Sequence, residues 1–224
     1  MKNVLIFTLV VVFLVLSCKK DKTINKSKEI TAEIEVDTLK VYNNILNYLL
    51  EKRLYYKCLG RNWELLYVDL SKKRIDSTTY LKKLNILRND VVKNDSLKGI
   101  LYVSGVFDGH TIGAEFLDFA EEHGFDLEEV KCQIERENRY DADSLKSNFV
   151  KLKKYRDQNS ISQKKEFEVG SISFSKIVFK KSKNSGILYF SFVCGGKCGE
   201  GALALIEKTD GKWEVKKTEA LWKS

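Results

Sequence analysis

Toward its carboxyl end the chain reads FVCGGKCGEGA over residues 192–202, with Cys194 and Cys198 separated by three residues in a glycine-rich stretch. Thiols so close can hold a metal, exchange electrons or close a turn, and glycines ahead of a lysine can cradle phosphate. A phosphate loop needs glycine at 191 and Ser or Thr at 198; the chain has Ser191 and Cys198. Structural zinc takes four ligands, usually as two close pairs. Only one close pair exists, because Cys58 and Cys132 are isolated and neither His110 nor His123 has another ligand beside it in sequence. A redox pair keeps two intervening residues at a helix start. The expectation is no metal and no cofactor here, which leaves a closed turn.

A second stretch, Gly105-Val106-Phe107-Asp108-Gly109-His110, could also do chemistry. Read from the residues, it is a strand ending in a turn, with Asp108 capping the helix that follows. It also resembles the metal-binding signature of PPM-type serine/threonine phosphatases. There an aspartate and a glycine carbonyl hold divalent ions that activate water. The likeness covers six residues; Thr111 replaces the small residue of that signature, no Arg-Gly-x-Arg precedes it and no Gly-x-Asp-Asn follows. What it implies is an envelope hydrolase using Asp108 and His110. Other catalytic patterns are weaker. No Gly-x-Ser-x-Gly elbow is present, carboxylate pairs such as Glu128-Glu129 are common on solvated helices, and His123 at a helix end is expected to be exposed, where the dipole suits it.

The elements that must position these groups follow from periodicity. From Thr38 to Cys58 apolar residues recur at Leu39, Tyr42, Ile45, Leu46, Leu49 and Leu54, the three-and-four spacing of a helix, with Asp37 placed to cap it and Gly60 just past its end. WELLYVDL, residues 63–70, is branched and aromatic enough for a strand, with a helical turn as the alternative. Residues 77–87 read as a short helix and 99–107, GILYVSGVF, as a buried strand. Residues 111–123 place Ile112, Phe116, Phe119 and Ala120 on one helical face, with Gly124 as the stop. Residues 127–139 and 143–157 read as further helices, the second carrying Leu145, Phe149, Leu152 and Tyr155.

Beyond Asp157 the period changes from helical to alternating over 172–179, 187–193, 202–206 and 213–222. The runs are separated by Lys183-Asn184-Ser185-Gly186, by the cysteine loop and by Asp210-Gly211, a strong hairpin signal. With no proline in the chain, turns rely on Gly, Asn, Asp and Ser. The fold class expected is α+β: N-terminal helices, in a mainly helical region 37–165, packed on one face of a four-stranded antiparallel meander in 166–224. Cys194, Gly195, Cys198, Gly199, Gly211, Lys212, Trp213 and Trp222 resemble a module of uncharacterised bacterial secreted proteins that carries Cys-Gly-x-x-Cys-Gly and Gly-Lys-Trp. That likeness spans about the last 55 residues and implies no activity.

At the other end, residues 1–17 read MKNVLIFTLVVVFLVLS: one lysine, an apolar run from Val4 to Leu16, and a small residue before Cys18. A membrane span needs about 20 apolar residues; this shorter run, basic at its start and small at its exit, has the form of a secretory signal peptide. Val15-Leu16-Ser17-Cys18 resembles the lipobox of bacterial lipoproteins, in which the cysteine thiol receives diacylglycerol, the leader is cut before it, and the new amino group is acylated. The resemblance implies lipidation of Cys18 and a membrane partner reached through the lipid anchor. Two or more acyl chains hold durably where one holds reversibly. Residues 18–36, polar and poor in aromatics, then read as a flexible tether. Lys19 differs from the aspartate that retains many lipoproteins at the inner membrane, so the outer membrane is expected, on its periplasmic face.

That address bears on charge and on thiols. Lys and Arg number 39 against 31 Asp and Glu, a net +8. The lysines are dispersed among acidic residues, which describes a solvated surface, and an exported chain is expected to have no nucleic-acid partner. Outside the cytoplasm disulfides persist. Four steps along a strand would separate the Cα atoms of Cys194 and Cys198 by about 13 Å, whereas a disulfide spans about 7 Å at most. The chain must therefore reverse between them, which Gly195-Gly196 permits, and a Cys194–Cys198 disulfide is expected. Cys58 and Cys132 lie on apolar helical faces, which leaves two readings open, a bond between them or two core residues. The function these features favour is a lipid-anchored, non-enzymatic binding or interaction module, with the hydrolase as the alternative.

Overall fold

The apolar stripe that begins at Leu39 winds into helix α1, residues 38–48, in a computed structural model that describes residues 38–104, 113–135, 141–155 and 167–224. Val41, Tyr42, Ile45 and Leu46 are at most 1 % exposed. The helix then widens: Leu49–Arg53 is a π turn, closed by the Leu54 N–H on the Leu49 carbonyl at 2.7 Å. Such a turn holds one residue more than an α turn and re-aims the side chains after it. Helix α2, Tyr55–Ser71, bends at Gly60, whose φ is 53° and ψ −137°. Gly60, expected just past a helix end, is thus the joint between two helical pieces. A Cβ there would meet Phe167 Cζ at 2.6 Å, so the aromatic ring occupies the space of the missing side chain.

The strand expected over 63–70 is instead the second half of α2. Leu59, Trp63 and Leu66 continue the helical spacing across the bend, and they face Leu84 and Val91 of helix α3, Ser77–Lys93, in a small core of their own. An eight-residue window is too short to show that period. Helix α3 starts where Asp76 Oδ1 accepts from the Thr79 N–H at 2.6 Å. It runs past residue 87 because Val91 extends its buried stripe.

The sheet contains β1 (Ile100–Val103), β2 (Lys151–Lys154), β3 (Glu168–Phe174), β4 (Val178–Phe179), β5 (Ser185–Gly195), β6 (Cys198–Thr209) and β7 (Lys212–Lys223), interrupted after β1 by helices α4 (Ala114–Glu122) and α5 (Leu127–Glu135). Its seven strands run β2-β1-β3-β5-β6-β7, with β4 pairing β5. The antiparallel meander expected is present as β3, β5, β6 and β7. The four-stranded, purely antiparallel sheet is corrected, however: β1 pairs in parallel with both β2 and β3, so the α+β fold carries a mixed sheet. Asp210 and Gly211 make the tight β6–β7 hairpin with φ of 51° and 76°.

The helix expected over 143–157 is also corrected. Residues Ala142–Ser144 form one 3-10 turn and Lys151–Lys154 pair with Ile100–Val103 as β2. Leu145 and Phe149 do reach the main core, as the spacing suggested, but from an irregular segment. Pairing with a distant strand outweighed a helical period that only four apolar residues supported.

Alternation along β5 and β6 gives the sheet two apolar faces. Leu188, Phe190, Phe192, Ala202 and Ala204 join α1 in the main core. Ile187, Tyr189 and Leu203 face Phe116, Phe119, Ala120, Phe125 and Val130 of the α4–α5 region in a second core. Both faces are therefore covered by helices, rather than the single face expected. Residues Leu39–Ser224 form one compact unit. Among the described residues, no helix is long and apolar enough to cross a membrane.

Candidate functional site

The cysteine turn is built by a β-bulge. In a regular hairpin with a two-residue Gly196-Lys197 turn, Gly195 would face Cys198 and Cys194 would face Gly199, so the side chains of Cys194 and Cys198 would point to opposite sides of the sheet. The observed register shifts between Val193 and Gly195: Gly195 pairs with Cys198 while Val193 pairs with Gly199. Cys194 is the extra residue, which lets its side chain turn toward that of Cys198. Their Cα atoms are 5.1 Å apart and the two cysteines stand at disulfide distance. Cys194 is half-buried against the main core, and the glycines and lysine of the turn are exposed.

Two residues beyond Cys198, Glu200 points into the main-core face and is 8 % exposed. A buried carboxylate needs a partner, and the π turn supplies one. Arg53 Nε lies 2.6 Å from Glu200 Oε1 as an ion pair, Nη2 donates to Glu200 Oε2 at 3.3 Å, and Nη1 donates to Thr218 Oγ1 at 2.8 Å. The guanidinium also lies over the Phe190 ring, 5.4 Å from its centroid. Arg53 thereby ties the helix layer to β5, β6 and β7 beside the cysteine turn. Tyr56 stands nearby, and burial first, then the Glu200 charge, hold its phenol above its ordinary pKa. No local signal marked Arg53 and Glu200, because they lie 147 positions apart.

On the opposite face of the sheet, Trp222 donates its indole N–H to the Tyr189 hydroxyl at 2.8 Å. It can do so because position 201 has no side chain: a Cβ on Gly201 would collide with both the Trp222 ring and the Tyr189 hydroxyl. Trp222 is among the residues singled out in the sequence; Gly201, which makes room for its ring, is not.

A groove of about 270 Å³ opens between the start of α5 and the β4–β5 connection, near Phe125, Asp126, Gln133 and Lys180. Three of its polar side chains are engaged by nearby backbone groups. Gln133 donates to the Phe179 carbonyl at 2.8 Å and accepts from the Phe179 N–H at 3.1 Å, pairing with β4 as a strand would. Lys180 Nζ donates to the His123 carbonyl at 2.6 Å and sits over Phe125. Asp126 Oδ1 accepts from the N–H groups of Glu128 and Glu129.

The remaining residues named from sequence fall as follows. Cys18, Asp108 and His110 lie outside the described residues. The residue capping the described start of α4 is Gly113, not Asp108. His123 is half-buried rather than exposed, its ring edge-on to Phe119 at 4.4 Å and its Nε2 away from solvent. Cys58 is a core residue whose thiol burial pushes up to about 12, so it is not a nucleophile near neutrality. Cys132, expected in the core or bonded to Cys58, is exposed on α5, which leaves it apart from Cys58. Among the described residues no group of three or more His, Cys, Asp or Glu is placed to hold a metal ion.

The fold and site together define an α+β protein with a mixed seven-stranded sheet and a cysteine-bearing bulged hairpin. No protein-family model, curated protein or solved structure matches this chain.

Proposed function

We propose that this chain is a lipid-anchored cell-envelope protein, held at the outer membrane on its periplasmic face through Cys18, and that its folded body is a non-enzymatic binding or interaction module. The observation that carries this reading is the leader, an apolar run from Val4 to Leu16 whose end, with Ser17 and Cys18, makes up the Val15-Leu16-Ser17-Cys18 exit. The cysteine turn supports it independently. A pair at disulfide distance on a largely exposed turn belongs in an oxidising compartment, where the bond persists. Two polar clusters lend support of another kind, since Arg53 and Glu200 pair with each other and Gln133, Lys180 and Asp126 of the α5 groove are held by backbone groups, so that these side chains brace the fold.

The test is metabolic labelling with radioactive palmitate. The full-length chain is expected to take up label and to fractionate with outer membranes, and Cys18→Ser to do neither. Label retained by Cys18→Ser, or a parent chain recovered unlabelled from the cytosol with Met1 intact, refutes the reading.

A further inference from the structure

Trp222 is held flat on the sheet, with one side of its ring turned outward. Its indole N–H donates to the Tyr189 hydroxyl at 2.8 Å, and the ring covers two glycines of β6. A Cβ on Gly201 would collide with Nε1 and Cε2 of the indole, and one on Gly199 would meet Cζ3 and Cη2 at 3.1 and 3.2 Å. Contact near both ends of the indole, from residues two apart on one strand, lays the ring along β6. One face is therefore shut against backbone and the other is open, and Trp222 remains 39 % exposed.

Register sets what borders the ring. Gly199 pairs with Val193 of β5 and Gly201 with Ser191, and Ser191 pairs in turn with Ser173 of β3. Adjacent strands lie about 4.8 Å apart, so Val193 and Ser191 stand beside the ring and Ser173 one strand further out. Val193 is 43 % exposed. The Ser173 and Ser191 hydroxyls share one hydrogen bond at 2.7 Å; whichever donates, the other keeps its own proton to give. Glu219 of β7, opposite Leu203, is exposed on the same face and adds an acceptor.

An aromatic floor edged by hydroxyls suits a ligand that is apolar on its faces and polar around its rim. A pyranose ring with equatorial substituents has that form. Its axial C–H bonds point at the negative face of the indole, while its hydroxyls radiate toward the rim. An anion would find no basic side chain among these bordering residues. A cation is captured by several rings in a cage, and a chain of net charge +8 repels it. Holding the indole in place beforehand lowers the ordering cost of binding.

We propose that the outward face of Trp222, bordered by Ser191, Ser173 and Val193, is a binding site for a neutral saccharide of β-linked, equatorially substituted pyranose rings. This site rests on the reading of the folded body as a binding module and names the class of ligand.

Calorimetric titration of the full-length chain with cellohexaose and with chitohexaose, in a detergent without a sugar headgroup, tests this, together with the NMR signal of the Trp222 indole N–H. Saturable binding of at least one oligosaccharide, with a shift of that signal, is expected. Trp222→Ala is expected to abolish binding and Ser191→Ala to weaken it about fivefold, as the loss of one hydrogen bond does. Far-ultraviolet circular dichroism checks folding, and should Trp222→Ala fail to fold, Ser191→Ala decides. Cys18→Ser is expected to bind as the parent does, so that a failed anchor and a failed saccharide site are read separately. Absence of binding to both oligosaccharides overturns the proposal. So does binding that Trp222→Ala or Ser191→Ala leaves unchanged, or a Trp222 signal that tetramethylammonium shifts and neither oligosaccharide does.

Discussion

Reducing the bond expected between Cys194 and Cys198 is predicted to destabilise the folded chain by about 2 kcal/mol. The closed loop holds five residues, Cys194 to Cys198, and the chain-entropy relation for a loop of that size gives about 7 cal/mol/K, or about 2 kcal/mol near room temperature. For a chain of this length each kcal/mol moves the melting temperature by about 2–4 °C, so a fall of about 4–8 °C is expected. The assay is thermal unfolding followed by circular dichroism, with and without a phosphine reductant, on the parent and on Cys194→Ser/Cys198→Ser. The parent should lose stability on reduction; the double variant should start lower and ignore the reductant. Because the β5–β6 ladder from Phe192–Glu200 onward does not depend on the sulfur bridge, amide exchange should quicken chiefly at the two pairs beside the turn, Gly195–Cys198 and Val193–Gly199. A parent chain whose melting temperature reductant leaves unchanged, or an equal shift in the double variant, would refute the reasoning.

Two further perturbations test the braces around that turn. Arg53→Met removes the partner of Glu200, whose side chain is 11 % exposed against 25 % for Arg53. Breaking a fully buried pair costs about 3–5 kcal/mol, so this partly exposed one should cost about 2–3 kcal/mol in urea unfolding, and adding Glu200→Gln should return part of the loss; strictly additive effects would show that the two side chains are not coupled. Gly201→Ala forces Trp222 off the sheet and separates it from Tyr189. Overpacking and a lost hydrogen bond should together cost about 2–4 kcal/mol, with a red shift of tryptophan emission, and a variant within about 0.5 kcal/mol of the parent would show that the cradle does not matter.

The features legible in the sequence are those whose cause is local. Leu39, Tyr42, Ile45 and Leu46 share a helical face whatever surrounds them, and they are core residues of α1. Asp210-Gly211 supports positive φ at both positions and makes the β6–β7 hairpin. The spacing of Cys194 and Cys198 demanded a reversal, because an extended chain would hold them too far apart, and the reversal is present. The leader and Cys18 are likewise a reading of adjacent residues, and they lie outside the described part of the structure.

The rest was decided between segments far apart. Residues 151–154 satisfy a short helical period as well as a strand, and what makes them β2 is the parallel ladder that Ile100–Val103 offers about fifty positions away. Parallel pairing always joins such distant segments, so no local window contains it. The same holds for Glu200, whose buried charge is tolerable only because the π turn 147 positions earlier delivers Arg53 to it. The bulge at Cys194 combines both levels. Spacing and glycines required a turn, but the half-step of register that aims the two thiols at each other follows from how β5 and β6 lie in the completed sheet. A residue's own neighbours set its local conformation, and the side to which it points is set by the strand or helix it meets.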